Sequence, residues 1–140
     1  MKLFLDTNIV IDFIGNREPF SSEAAALFQL ASDGAVQLLV SDLSFINIVN
    51  ILRRLHYPLA DIFTALTGIR PLISITGIGG EVIDECLRSH WADFEDYAQY
   101  TSAKRALADR IITRNKKDYP STSIPVLTPT EFLDEIGVTL

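Results

Sequence analysis

The stretch Met1-Lys2-Leu3-Phe4-Leu5-Asp6-Thr7-Asn8 decides how the rest of the chain is interpreted. Its apolar residues end abruptly at Asp6, which is the pattern of a short buried parallel strand. An acid directly after such a strand lies at the carboxyl edge of the sheet, where α/β proteins place their ligand sites. Asp6 is also a typical helix cap, and a single side chain can serve both purposes.

Strand-like and helix-like segments alternate along the whole chain. Short apolar runs predict five strands, near 2–5, 36–40, 71–75, 110–113 and 124–127. The segments between them have helical spacing, most clearly over 93–107. This alternation predicts an α/β fold with three α/β/α layers around a mainly parallel sheet of about five strands. The length fits a single domain over residues 1–140.

Composition excludes several classes of protein. The 140 residues are 48% hydrophobic and 21% charged, which is ordinary for a globular chain. No apolar run is long enough to span a bilayer or to form the core of a signal peptide, so we expect no membrane association. The single cysteine, Cys86, cannot form an internal disulfide and is expected to be a core residue. These features together favour a cytoplasmic protein.

The net charge of −6 argues against a protein that coats nucleic acid. However, six of the twelve Lys and Arg residues lie between Lys104 and Lys117. A local basic strip on an acidic body can still bind phosphate, although for Lys104 and Arg105 a solvated helix face is at least as good an explanation.

Acids stand at three places where the predicted sheet would bring them together: Asp6, Asp96 and Asp118. Asp96 lies in the first turn of the late helix, where the helix dipole favours acids in any case. Asp118 lies in the loop after the fourth strand, and that loop is equally compatible with a solvated turn. Converging carboxylates repel one another unless a cation neutralises them, and oxygen ligands favour Mg²⁺ or Mn²⁺. Neither His56 nor His90 has zinc-ligand spacing.

Three motifs resemble those of PIN domains, a superfamily that includes the ribonuclease toxins of VapC-type toxin–antitoxin pairs. The first is Leu5-Asp6-Thr7-Asn8. The second is Asp93-Phe94-Glu95-Asp96-Tyr97-Ala98-Gln99. The third runs from Thr113 to Tyr119 as Thr-Arg-Asn-Lys-Lys-Asp-Tyr. One such motif is weak, but three in the family's order, covering nearly the whole chain, are a specific signal.

The resemblance implies a metal-dependent ribonuclease that uses Mg²⁺ or Mn²⁺. Asp6, Asp96 and Asp118 would be the catalytic and metal-ligating residues. Six further residues are candidates for contacting the substrate or orienting the site: Asn8, Asn47, Thr113, Arg114, Asn115 and Lys116. The resemblance also implies RNA as substrate, an antitoxin protein as a partner, and a homodimer.

The chain departs from the pattern of active family members at two positions. Asn47 stands on the helix after the second strand where an acid is expected, and Asn115 stands where many members have Asp. Losing negative charge would weaken metal binding, although Asp42 or Glu95 would be able to compensate. Asp42 has a simpler interpretation as a helix-start residue.

Two alternatives therefore stay open beside the ribonuclease. The first is a catalytically weakened PIN module that binds RNA or a protein without cleaving, and it rests on Asn47 and Asn115. The second is an acidic phosphoacceptor receiver domain. It is the weaker alternative, because Asp12 is more than a helical turn from Asp6 and no lone Lys follows a strand. The apolar helix after the second strand adds a separate hypothesis of a dimer face, beside ordinary core burial.

Overall fold

A fully parallel five-stranded sheet forms the centre of the computed structural model, which describes all residues 1–140. The strands are β1 (Lys2–Leu5), β2 (Gln37–Ser41), β3 (Ile73–Thr76), β4 (Arg110–Ile112) and β5 (Val126–Leu127). Their spatial order is β3-β2-β1-β4-β5, so β1 is central and pairs in parallel with β2 and β4. Strands β2 and β3 are added on one side of β1, and β4 and β5 on the other. The carboxyl ends of β1 and β4 therefore flank the point where ligands are expected to bind.

Seven α-helices cover the two faces of this sheet. They are α1 (Thr7–Ile14), α2 (Ser21–Ser32), α3 (Asp42–Arg54), α4 (Leu59–Ile69), α5 (Gly79–Arg88), α6 (Phe94–Arg105) and α7 (Pro129–Glu135). Helices α1 to α4 and α7 pack on one face through the larger hydrophobic core. Helices α5 and α6 lie on the other face. The predicted α/β/α fold with a mainly parallel sheet is confirmed.

The central strands alternate their side chains between the two cores. Leu3 and Leu5 of β1 belong to the larger core, whereas Phe4 between them belongs to the smaller core beneath α6. Strand residues spaced by two share a face. Asp6 is therefore directed to the same face as Phe4. Thr113 is two residues after Ile111 and is directed to that face as well. This alternation brings two predicted site residues to one side of the sheet.

Side-chain caps fix where several helices begin. Asp6 caps α1 by accepting a hydrogen bond from the Thr7 amide at 2.8 Å. Ser41 caps α3, and Asp93 caps α6. Thr128 and Glu131 form a reciprocal capping box at the start of α7. The cap predicted for Asp6 is confirmed.

Three predicted strands are shorter than expected, the fourth by one residue because it ends at Ile112. The third starts only at Ile73, because Arg70–Leu72 forms a 3-10 turn that contains Pro71, whose ring has no N–H to donate to a ladder. The fifth covers only Val126–Leu127. Cys86 is buried and free, as expected. None of the helices has the length and apolar character needed to cross a membrane.

Candidate functional site

Asp6 is the most firmly held acid of the site. Its Oδ1 accepts the Thr7 amide at 2.8 Å, and its Oδ2 accepts the Thr113 hydroxyl at 2.8 Å. Burial raises the pKa of Asp6 above its usual value, and the hydrogen bonds from Thr113 and Thr7 partly offset this rise. The charge of Asp118 raises the pKa further, and the nearby Tyr119 hydroxyl lowers it. Asp6 is thus oriented by two donors, but its negative charge has no cationic partner.

Asp96 lies in the first turn of α6 and has a strongly raised pKa. Its pKa is raised to about 7, first by burial and then by the negative charges of Asp93, Asp118, Asp6 and Glu95. All of these effects raise the pKa, and no positively charged side chain is among them. The carboxyl group of Asp96 therefore lies in a negative environment that disfavours its ionised form.

The negative charge of Asp118 connects the two other acids. It raises the pKa of both Asp6 and Asp96, and the charge of Asp6 also raises the pKa of Asp96. The three carboxyl groups therefore influence one another's charge, and Asp6 lies directly after β1. Asp118 ends a 3-10 turn, Lys116–Asp118, in the loop after β4.

The carboxylates of this site could supply one or two of the oxygen ligands that a hard divalent cation needs. No three of the protein's His, Cys, Asp and Glu side chains are close enough together to hold a metal ion by themselves. Mg²⁺ is commonly held by only one or two carboxylates, together with water and substrate phosphate. Carboxylates whose mutual repulsion raises their pKa values provide such a site, because a cation would relieve that repulsion.

The loop after β4 is built around the Thr113 hydroxyl. This hydroxyl donates to Asp6 and accepts the Asn115 amide at 3.0 Å. The Arg114 amide lies 3.5 Å from Asn8 Oδ1, at the limit of a hydrogen bond. Thr113 is fully buried, so it orients Asp6 from within the protein. Asn8, Thr113 and Asn115 therefore lie together beside Asp6.

The two predicted phosphate-binding cations already have partners within the protein. Arg114 forms an ion pair with the buried Asp12, with its Nε 2.6 Å from Oδ2. Lys116 Nζ lies 3.0 Å from Glu131 Oε2 in a half-exposed pair. A phosphate contact by Lys116 would require release from Glu131, which is inexpensive for an exposed pair. The same contact by Arg114 would leave the buried Asp12 with only the more distant Arg17, whose Nε lies 4.0 Å from Oδ1.

Asn47, at the position where an acid is expected, contacts an acid from another helix. Its Nδ2 donates to Glu95 Oε1 at 3.0 Å. Glu95 is also one of the charges that raise the pKa of Asp96. The amide on α3 thus binds a carboxylate on α6 that lies beside the acidic site. Asp42, the other acid considered as compensation, accepts the Leu43 amide in the first turn of α3.

Sequence reasoning assigned no role to Tyr119, although it lies beside all three acids. The negative charges of Asp6, Asp96 and Asp118 all raise its pKa, after the larger effect of burial. Sequence reasoning also missed a buried hydrogen bond between β2 and α6. The Ser41 hydroxyl donates to Gln99 Oε1 at 2.7 Å. The only available signal for Tyr119 was its place directly after Asp118. Nothing in the spacing indicated a role for Gln99.

Comparison with solved structures identifies several that share this fold. A toxin–antitoxin complex from Klebsiella pneumoniae matches with a TM-score of 0.64 and 24% identity, over 91% of this chain and 97% of that one. VapC20 of Mycobacterium tuberculosis, a toxin that cleaves the sarcin–ricin loop, matches with a TM-score of 0.61 and 12% identity, over 78% and 86%. FitAcB from Neisseria gonorrhoeae matches with a TM-score of 0.69 and 14% identity, over 91% and 98%.

These identities are low, so the likeness to solved structures shows the fold alone. No protein of curated function matches the chain. A family model described as "PIN domain" matches residues 2–117, which is most of the chain and includes β1, α6 and the start of the loop after β4. The chain belongs to the PIN domain family.

Proposed function

We propose that this protein is a divalent-metal-dependent endoribonuclease that hydrolyses RNA phosphodiester bonds and acts as the toxin of a toxin–antitoxin module. The observation that carries the proposal is that the negative charge of Asp118 raises the pKa of both Asp6 and Asp96, as expected for carboxyl groups that share one site. Mg²⁺ or Mn²⁺ would be held there by Asp6 and Asp96, with Asp118 adding negative charge. When bound, the ion supplies charge neutralisation and activation of the hydrolytic water.

The protein's own contribution is positioning. The Thr7 amide and the Thr113 hydroxyl fix the Asp6 carboxylate before any ligand arrives, so little rearrangement is needed. Asp96 is presented from the rigid first turn of α6, whose start is fixed by the Asp93 cap. Lys116 would bind substrate phosphate after leaving Glu131, and Asn8 and Asn115 would offer polar groups at the same edge.

The comparisons support the substrate and the partner without assigning them. The family model is that of the PIN domain, and similar folds occur in a ribonuclease toxin and in toxin–antitoxin complexes. On this support we propose that RNA is the substrate of this chain and that an antitoxin protein is its partner. A homodimer is proposed from the open apolar groove beside the site, which is lined by Leu43, Ile46, Ile78, Ile83 and Phe94.

The direct test is RNA cleavage by the purified chain in Mg²⁺ or Mn²⁺. Wild-type protein should cleave, EDTA should stop cleavage, and Asp6→Asn and Asp96→Asn should each lose at least about a hundredfold in rate. Asp61→Asn, an exposed acid on α4, is the matched control and should cleave normally. If wild-type protein and both site variants give the same background, the enzyme proposal is wrong.

A second candidate function is a PIN module that binds RNA or a protein without cleaving. The observation that favours it is the neutral Asn47, which forms a hydrogen bond to Glu95 where the family pattern places an acid. Calorimetric titration with Mn²⁺ separates the two candidates. Absence of heat at millimolar Mn²⁺, together with RNA binding, would favour the non-catalytic module.

A further inference from the structure

The Tyr119 hydroxyl is one of only two buried side-chain polar groups that have no hydrogen-bond partner; the other is the hydroxyl of Thr101. The Tyr119 residue is only 5% exposed. Leaving a buried hydroxyl unpaired typically costs about 1–3 kcal/mol, so such a group needs an explanation. The hydroxyls of two other tyrosines have hydrogen-bond partners. Tyr57 donates to the Gly15 carbonyl at 3.1 Å, and the Tyr100 hydroxyl pairs with Ser123.

The ring of Tyr119 is held so that its hydroxyl faces the acidic site. It packs in the smaller core with Phe4 of β1 and Ile111 of β4, and its ring meets Trp91 edge-on at 6.5 Å. Asp6 and Thr113 follow Phe4 and Ile111 by two residues on the same face of the sheet. The hydroxyl therefore extends past the strand ends toward the carboxylate of Asp6.

The Tyr119 hydroxyl lies close enough to Asp6 to lower the pKa of that carboxyl group, as a hydrogen-bond donor does. It nevertheless lies outside the distance and angle limits of a formed hydrogen bond to Asp6 or to any other group. A phenol carries one O–H group, so the Tyr119 hydroxyl is available as a donor. Each Asp6 oxygen accepts one hydrogen bond at present and has a further lone pair.

We propose that Tyr119 is a positioning residue of the acidic site, whose hydroxyl donates a third hydrogen bond to the Asp6 carboxylate when a divalent cation is bound. The inference rests on the metal site of the proposed function, but it does not require that RNA be cleaved. Outer groups that orient a ligating carboxylate typically change metal affinity by about 10–100-fold. Tyr119 would act in this way together with Thr113.

The test is Mn²⁺ binding by the full chain, measured by calorimetry on wild type, Tyr119→Phe and Tyr100→Phe. Tyr119→Phe removes only the hydroxyl and should weaken Mn²⁺ binding about tenfold. Because it removes an unpaired buried group, the thermal midpoint of its metal-free form should be unchanged or higher. Tyr100→Phe, which loses the bond to Ser123, should have a lower midpoint and normal Mn²⁺ affinity.

A purely structural role for Tyr119 would lower the midpoint and leave Mn²⁺ affinity unchanged, and that outcome overturns the inference. A wild-type chain that binds no Mn²⁺ overturns it as well. A chain that binds Mn²⁺ but does not cleave RNA contradicts the nuclease proposal only, because the Tyr119 comparison is still decided by affinity. A crystal structure with Mn²⁺ should show Tyr119 Oη within hydrogen-bond distance of Asp6.

Discussion

The Arg114 guanidinium binds the buried Asp12 carboxylate through two hydrogen bonds, from Nε to Oδ2 at 2.6 Å and from Nη2 to Oδ1 at 3.2 Å. Asp12 is 1% exposed, and the guanidinium also lies 3.9 Å from the ring centroid of Phe20. This pair joins α1, which begins at Asp6, to the loop that carries Thr113 and Asn115. The main structural role of Arg114 is therefore to connect α1 to the loop after β4, the two segments that carry site residues.

Removing one partner of this pair should be strongly destabilising. Asp12→Ala leaves the guanidinium without its acceptor, and we expect a loss of about 3 kcal/mol in the free energy of unfolding. Arg114→Lys should lose part of that amount, because an ammonium cannot form the two parallel bonds. Urea denaturation followed by circular dichroism measures both. Arg105→Ala breaks the exposed pairs to Glu81 and Glu85 and should have a far smaller effect. Equal losses in Asp12→Ala and Arg105→Ala would contradict this account.

The Thr113 hydroxyl should affect both stability and metal binding. Thr113→Val keeps the shape but removes the donor to Asp6 and the acceptor of the Asn115 amide. We expect a loss of about 1–3 kcal/mol in stability and weaker Mn²⁺ binding. Thr113→Ser retains the hydroxyl and is the control for both measurements. Normal Mn²⁺ affinity in Thr113→Val would show that Asp6 needs no orientation from this side.

Glu95 should supply part of the negative charge that Asn47 lacks. Glu95→Gln preserves a possible partner for the Asn47 amide but removes the charge beside Asp96, and it should weaken Mn²⁺ binding several-fold. Adding Asn47→Glu to that variant should restore affinity, and calorimetry would show it. Asp84→Asn, an exposed acid on α5, is the control for a general loss of charge. If Glu95→Gln and Asp84→Asn bind Mn²⁺ equally well, Glu95 does not compensate.

Metal-free protein should lose stability as the pH rises. The folded-state pKa of Asp96 is about 7, above its ordinary value of 3.8, so the folded protein holds this proton more tightly than the unfolded chain does. The stabilisation is complete below about pH 4 and is lost through pH 7. Because Asp96 is partly exposed, solvent screening limits the change to about 1–2 kcal/mol. Urea denaturation in EDTA from pH 4 to 8 measures it.

Asp96→Asn should make that pH dependence clearly weaker, while Asp61→Asn should leave it intact. The free energy of unfolding of Asp96→Asn should still fall somewhat with rising pH, because the pKa of Asp6 is also raised. An identical pH dependence in wild type and Asp96→Asn would show that Asp96 does not titrate with a raised pKa.

The apolar groove beside the site should mediate self-association. Ile46 on α3 is 63% exposed, although Ile48 and Leu52 of the same helix are fully buried. Ile46→Asp should convert a dimer to a monomer in sedimentation velocity, because a buried unpaired charge would oppose the interface. Leu107→Asp changes another highly exposed aliphatic residue, just after α6, and should leave the dimer intact. A monomeric wild type would contradict the homodimer.

Local patterns in the sequence were sufficient to predict the fold class. Apolar runs ending at Asp6 and Thr113, and helices beginning at caps such as Asp6 and Asp93, depend on neighbouring residues only. Parallel pairing then follows from the alternation of strands and helices. The same reasoning predicted that Asp6, Asp96 and Asp118 would meet at one edge of the sheet, and the pKa effects among the three carboxyl groups are consistent with that prediction.

Only the tertiary structure decided which polar groups have partners. Asp12 and Arg114 are 102 residues apart, and Asn47 and Glu95 are 48 apart, so no local pattern could pair them. The unpaired hydroxyl of Tyr119 was equally hidden, because burial and the absence of a partner are properties of the packed core. Sequence by itself determined which residues reach the sheet edge. Packing determined which of them stay available to a ligand, because hydrogen bonds and ion pairs within the protein compete for the same groups.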